Sequence, residues 1–205
     1  MKNLTDEERL LELDKLKSEC SNCQKCELAN TRTNVVFGSG NPLSYIMLIG
    51  EGPGRNEDEQ GLPFIGRAGQ LLTKILESVK IDREKDVFII NVVKCRPPEN
   101  RVPSPIEVKA CSEYLEKQIE LSKAKIILLT GATALKAILN YTGGISKVRG
   151  EWMEWNDKLV MPIFHPSYLL RNHSKEVGSP KWLMYQDMKK LKLKLDELKE
   201  LDQEK

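Results

Sequence analysis

The sequence predicts an α/β protein, a three-layer α/β/α sandwich with a central, mainly parallel sheet. Three observations carry that expectation. Apolar, β-rich runs at 45–49, 87–93 and 126–130 have the length and composition of strands buried on both faces. Stretches with helical periodicity lie between them, and strands alternating with helices in this rhythm build parallel sheets. The polar segments at Gly50, Asn91 and His165 follow or end strands, so they converge on one sheet edge, the place where open α/β sheets bind ligands.

In chain order, residues 4–19 carry leucines at 4, 10, 11, 13 and 16, with Thr5 and Glu8 set as a capping box, which predicts a short amphipathic helix. It leads into Cys20-x-x-Cys23-x-x-Cys26. Residues 35–37 form a short strand candidate ending at Gly38-Ser39-Gly40, and the run 45–49 follows. Its end bears Gly50-Glu51-Gly52-Pro53-Gly54, then Glu57 and Asp58. Glycines there let the backbone turn and approach a ligand closely, and proline stiffens the loop. A plain solvated turn has the same composition, and by itself the motif does not separate a site from a turn.

Gly61 to Gly66 is a glycine-flanked loop carrying one aromatic, Phe64, for which core packing is the simpler reading. Residues 68–79 present a helical apolar face. The strand 87–93 contains Asn91, a residue depleted in strands whose buried amide needs partners. A proline-rich loop with Arg96 and Arg101 runs to Pro103, and Ser104-Pro105-Ile106-Glu107 starts a helix. After the strand 126–130, Gly131 opens a helix ending near Asn140; strands are expected at 148–155 and 159–164, joined by a turn at Asn156-Asp157. His165 follows the last of these, in a loop that continues to Asn172, and residues 181–200 form a charged amphipathic helix whose polar side reads as a solvated face.

A chain of 205 residues suits a single domain over 1–205, with 1–34 holding the first helix and first cysteines and 181–205 the charged helix. Charged residues make up 30% of it, a surface compatible with a hot environment but not proof of one. No apolar run of membrane-spanning length and no signal segment is visible, so a soluble, cytoplasmic protein is expected. Net charge is +2; affinity for nucleic acid must therefore come from a local basic patch. The five cysteines, Cys20, Cys23, Cys26, Cys95 and Cys111, are odd in number and lack a secretory context, which favours metal binding over disulfides. Overlapping Cys-x-x-Cys pairs with Cys95 and Cys111 suit an iron–sulfur cubane, and a tetrathiolate zinc site uses the same spacing.

Together these motifs are similar to the uracil-DNA glycosylase superfamily, most closely to its iron–sulfur branch, the family 4 enzymes typical of thermophilic bacteria and archaea. The resemblance runs from Cys23 to about Arg171. It rests on Gly50-Glu51-Gly52-Pro53-Gly54 with Glu57-Asp58, Leu62-Pro63-Phe64-Ile65-Gly66, Asn91 with Val93-Lys94-Cys95-Arg96-Pro97-Pro98, Cys95-x15-Cys111, and His165-Pro166-Ser167-Tyr168-Leu169. It implies a monofunctional DNA repair enzyme that flips uracil out of DNA and hydrolyses its N-glycosidic bond, leaving an abasic site. It also implies a structural 4Fe-4S cluster on Cys23, Cys26, Cys95 and Cys111, because the family's first pair is followed by leucine as Cys26-Glu27-Leu28 is. Cys20 is then spare; a set using Cys20 and Cys23 with Cys26 spare is the alternative.

By the same resemblance, Phe64 stacks on uracil, Asn91 reads its O4 and N3–H edge, and His165 donates to O2 as negative charge develops, with backbone N–H groups around Glu51 and Gly52 helping. The best-known members carry an Asp where this chain has Gly52 and a thymine-blocking Tyr where it has Gly54, so neither role transfers. Glu51 and Glu57 are left as candidates to position water or stabilise the sugar cation. Ser167, Tyr168, Leu169 and Arg171 fall in the family's DNA-contacting wedge, with Leu170 read as packing back onto the core. Uracil-containing DNA is the expected partner, a sliding clamp or other repair proteins are candidate ones, and a monomer is expected. Two rivals remain: an iron–sulfur electron carrier or sensor with Cys20 as its reactive thiol, and a catalytically silent DNA-binding module.

Overall fold

The computed structural model describes residues 4–204. Residues 1–3 and 205, the outermost positions of the expected 1–205 unit, lie outside the described residues. Six strands, β1 (Ser39–Gly40), β2 (Ile46–Gly50), β3 (Val87–Asn91), β4 (Ile126–Thr130), β5 (Met153–Trp155) and β6 (Lys158–Ile163), form one sheet in the order β1-β3-β2-β4-β6-β5. The four central strands are parallel, and β1 and β5 pair antiparallel at the edges. The helices are α1 (Asp6–Ser21), α2 (Arg55–Gln60), α3 (Arg67–Glu77), α4 (Pro105–Leu121), α5 (Ala132–Leu139), α6 (Pro166–Arg171) and α7 (Pro180–Gln203).

Every residue of β2, β3 and β4 is buried, and the alternation of side chains splits them between two cores. Ile46, Leu48, Ile89, Leu128 and Met161 face α3, α6 and α7; Met47, Ile49, Ile90, Leu129 and Val160 face α4 and α5. Helices on both faces make the expected three layers. A smaller core of Leu13, Leu16, Cys20, Phe37 and Tyr114 docks α1 on α4. Arg9 fixes the outer end of this contact by donating to the carbonyl of Leu121 at 3.1 Å.

Register sets the position of the site. Gly50 pairs with Asn91, and Thr130 with Ile163, so parallel strands deliver Gly50, Asn91, Gly131 and His165 to the same edge. The capping boxes at Thr5–Glu8 and Ser104–Glu107 are both formed, and Asn156-Asp157, both at positive φ, make the turn between β5 and β6.

Several boundaries differ from expectation. Residues 35–37 form no strand; they run alongside, held by Val36 N–H donating to the Lys94 carbonyl at 2.8 Å. β3 ends at Asn91 rather than 93. The strand expected from 148 starts only at Met153, because Val148 closes a 3-10 turn over Ile145–Lys147 and Gly150 turns with φ 73° against Asp187. The segments after Gly54 and His165, expected as loops, are the short helices α2 and α6.

Candidate active site

At the carboxyl edge of the sheet lies an open cleft of about 320 Å³, walled by Glu51, Gly52, Pro53, Gly54, Glu57, Phe64, His165 and Ser167. Asn91 is beneath it rather than on its open wall, 1% exposed, and its Oδ1 has no hydrogen-bond partner among the described residues. A Cβ on Gly50 would stand 2.4 Å from that Oδ1 and 2.5 Å from Cζ of Phe64. Only glycine at position 50 lets the amide and the ring come together.

Phe64 has a left-handed backbone, φ 52°, a conformation that costs a bulky residue on the order of 1–3 kcal/mol and persists only where its surroundings enforce it. Two contacts enforce it. Arg83 donates to the carbonyls of Phe64 and Pro63, both at 2.6 Å, and to the Thr73 hydroxyl at 3.1 Å. On the other side the Phe64 carbonyl lies so close to Gly69 of α3 that a Cβ there would meet it at 1.7 Å. The Phe64 ring faces His165 with centroids 5.7 Å apart.

His165 caps α6. The backbone N–H of Ser167 donates to its Nδ1 at 3.2 Å, and the Ser167 hydroxyl lies 2.7 Å from the same nitrogen. A nitrogen that accepts cannot carry the proton, so the neutral ring holds it on Nε2. Burial, helped by the positive charge of Arg171 and opposed by Glu57, pushes the pKa of His165 down to about 4. The site therefore presents a neutral N–H donor at physiological pH.

The acidic residues are fixed differently. Glu51 accepts from the hydroxyl of Thr133, near the start of α5. Glu57, on α2, accepts through Oε1 from the backbone N–H groups of Ile65 and Gly66, at 3.0 and 2.8 Å, and its Oε2 lies 2.8 Å from where a Cβ on Gly54 would stand. Asp58 is buried and turned away, accepting from Thr33 and Asn34 backbone N–H groups. Arg101, at the cleft rim, is held by both carboxylate oxygens of Glu107, at 2.8 and 2.6 Å, and Arg101 in turn keeps the Glu107 carboxyl down at about 2.

All five cysteines line a second, tightly packed pocket, with Leu28, Val93 and Tyr114 among its apolar neighbours. Cys20 ends α1, Cys26 precedes the 3-10 turn Glu27–Asn30, Cys95 follows β3 and Cys111 lies on α4. A thiol-only donor set in an apolar pocket suits an iron–sulfur centre. Arg32 donates to Cys95 Sγ at 3.5 Å and the Lys94 backbone N–H to Cys111 Sγ at 3.4 Å, the outer-shell bonds such a centre uses. Burial pushes the Cys20 thiol up to about 12, and the side chain is enclosed. Both are opposite to what a reactive sensor thiol needs.

The family model described as "Uracil DNA glycosylase superfamily" matches residues 37–189. The chain belongs to the uracil DNA glycosylase superfamily. It is 46% identical to a type-4 uracil-DNA glycosylase of Thermotoga maritima over 187 residues, covering 90% of this chain and 94% of that protein. It is 45% identical to another from Sulfurisphaera tokodaii over 168 residues, 78% of this chain and 76% of that one. A type-5 uracil-DNA glycosylase of Thermus thermophilus is 30% identical over 122 residues, 53% of this chain and 55% of its own length. Membership in the type-4 branch makes this chain an enzyme of the class that hydrolyses N-glycosyl bonds.

The structure brings Glu51, Gly52, Glu57, Phe64 and His165 onto one cleft, with Asn91 below. In α6 the expected wedge is distributed differently. Leu169 is 1% exposed and packs in the sheet core, whereas Tyr168 is 39% exposed with its ring on Phe164, centroids 5.0 Å apart. Leu170, expected to pack inward, is half-buried, and Arg171 is exposed. Helical periodicity is the reason: Leu169 falls on the face that meets α3 and the sheet. Thr133, Arg83 and Lys94 contribute to the site without having been singled out from the sequence; their partners lie far along the chain or are backbone carbonyls, which no local motif announces. Among the described residues no helix is long and apolar enough to cross a membrane.

Proposed function

We propose that this enzyme excises uracil from DNA, and the observation that carries the reading is the buried, unpartnered Oδ1 of Asn91 beside the Phe64 ring. An acceptor left without a partner costs on the order of 1–3 kcal/mol, a cost that a ligand carrying an N–H removes. Uracil presents N3–H to Oδ1 and O4 to the amide nitrogen; cytosine reverses both and leaves the buried groups unpaired. The uridine reaches this pocket by flipping out of the duplex, at roughly a few kcal/mol.

Phe64 stacks on the flipped base. Cleavage of C1′–N1 leaves positive charge on the sugar and negative charge on uracil, and the Nε2–H of His165 donates to uracil O2 as that charge grows. Glu51, its orientation set by Thr133, positions the attacking water. Glu57 occupies the space over Gly54 and lends its charge to the sugar cation, and its locked carboxylate leaves little room for a thymine methyl group. Tyr168 is the exposed tip that fills the gap left by the flipped base, with Ser167 and Arg171 on the backbone; Leu169 supports this helix from inside. Four of the five thiols, Cys23, Cys26, Cys95 and Cys111, hold a 4Fe-4S cluster, whose contribution is to hold the protein's shape.

Release of uracil from a U:G duplex tests this reading, run beside T:G and C:G duplexes. The enzyme should release uracil only, and His165→Ala should lower the rate by about 10²–10³-fold, the cost of losing one donor to developing charge. Glu57→Ala should admit measurable thymine release. Absence of uracil release by the wild-type holoprotein overturns the proposal and leaves the silent binding module.

A further inference from the structure

Lys94 is among the largest fully enclosed side chains of the protein, 1% exposed. Its Nζ donates to the backbone carbonyl of Asn91 at 2.5 Å. An ammonium has three N–H donors and a full charge, and a buried cation needs anions around it to offset its lost hydration. Lys94 also lines the cysteine cavity, together with Cys95 and Cys111, two of the thiols placed on the cluster. Cys95 is its neighbour in sequence, and Cys111 Sγ accepts from its own backbone N–H. Protonated thiols offer no such charge, but the thiolates of a metal centre do. One side chain thus joins the cysteine cavity to the residue placed under the cleft.

Building on the uracil reading above, we propose that Lys94 is a positioning residue: its ammonium is the internal counter-charge of the metal-bound thiolates, and through the Asn91 carbonyl it fixes the amide that reads the base. The carbonyl it holds ends β3, and just beyond it Val92 and Val93 N–H groups bond the carbonyls of Gly50 and Glu51 at 2.9 and 3.2 Å. A shift of the Asn91 peptide therefore moves both the amide and the glycine loop. Loss of the thiolate charge leaves Lys94 unbalanced, and the strain falls on Asn91.

The test uses Lys94→Met holoprotein, close in shape and uncharged, and equilibrium binding to two duplexes. One holds 2′-fluoro-deoxyuridine, which keeps the base but resists cleavage; the other holds an abasic-site analogue, which has no base to read. Visible absorbance reports cluster content, and its decay under a chelator reports iron release. The expected result is about a tenfold rise in Kd for the fluorouridine duplex, abasic Kd within twofold of wild type, and faster iron release. Unchanged fluorouridine affinity overturns the proposal, and so does a parallel loss of both affinities, which marks a general structural defect. Should the Met variant fail to fold, Lys94→Gln, which retains an N–H donor without the charge, is read the same way: iron release as slow as wild type overturns the counter-charge. Failure of the uracil reading is separate, since wild type would then bind the two duplexes equally.

Discussion

At the scale of single residues, the site depends on two side chains whose states are set by neighbours. His165 is held neutral, with a pKa near 4 against an ordinary 6.5. The unfolded chain takes up this proton first as pH falls, so the stability that the neutral ring contributes is full above about 6.5 and is lost as pH falls toward 4. In the proposed mechanism catalysis follows the folded pKa: the acid limb of kcat/KM, which reports the free enzyme, should fall near pH 4, and a pH–rate profile of wild type against His165→Gln checks this. Gly50 sets the second state. Gly50→Ala places a methyl group against both Phe64 and Asn91, and a misplacement of about 1 Å can cost about 10²-fold in rate, so uracil release should fall by that order while the far-UV circular dichroism stays native. The sequence made Asn91, Phe64 and His165 visible because each is chemically out of place, an amide in an apolar run, a ring in a glycine loop, a histidine at a strand end. It left Thr133 and Arg83 unseen, since a hydroxyl on a helix and an arginine in a charged loop are ordinary until the fold brings them to Glu51 and Phe64.

At the scale of elements, the central strands were legible and the edges were not. β2, β3 and β4 are covered on both faces and so read as continuous apolar runs, whereas β1 has two residues and β5 three, too few for any period. The helices α2 and α6, six residues each, are likewise shorter than the two turns a periodic pattern needs, which is why Leu169, expected at the exposed tip, lies in the core instead. The loop from Gly61 to Gly66 is held as an element by Arg83. Arg83→Ala leaves two carbonyls without their donor and should destabilise by about 2 kcal/mol, with a rise in KM as Phe64 leaves its left-handed conformation; thermal melts and steady-state kinetics measure the two effects. The cap of α1 gives a comparison away from the cleft: Thr5→Ala should cost about 1 kcal/mol and leave KM unchanged.

At the scale of the whole molecule, the cysteine cavity joins parts that the sheet does not. α1 meets the body through α4 and the small core around Tyr114, and the same two helices carry Cys20 and Cys111. On the proposed cluster reading, stripping iron with a chelator should therefore lower the melting temperature and release amide protection first in α1 and α4, while β2 and β4, buried in both main cores, stay protected; hydrogen exchange resolves the order. The cysteines also follow an uneven schedule along the chain. Cys111 is the last of them, and β4, β6 and His165 all come after it. Chains tend to fold from the amino terminus as the ribosome extends them, so a nascent polypeptide has every thiol of the proposed cluster when it possesses only three of its six strands. His165 is then among the last parts to be supplied, and on the proposed reading a translation product cut short between Cys111 and His165 would sequester iron while releasing no uracil.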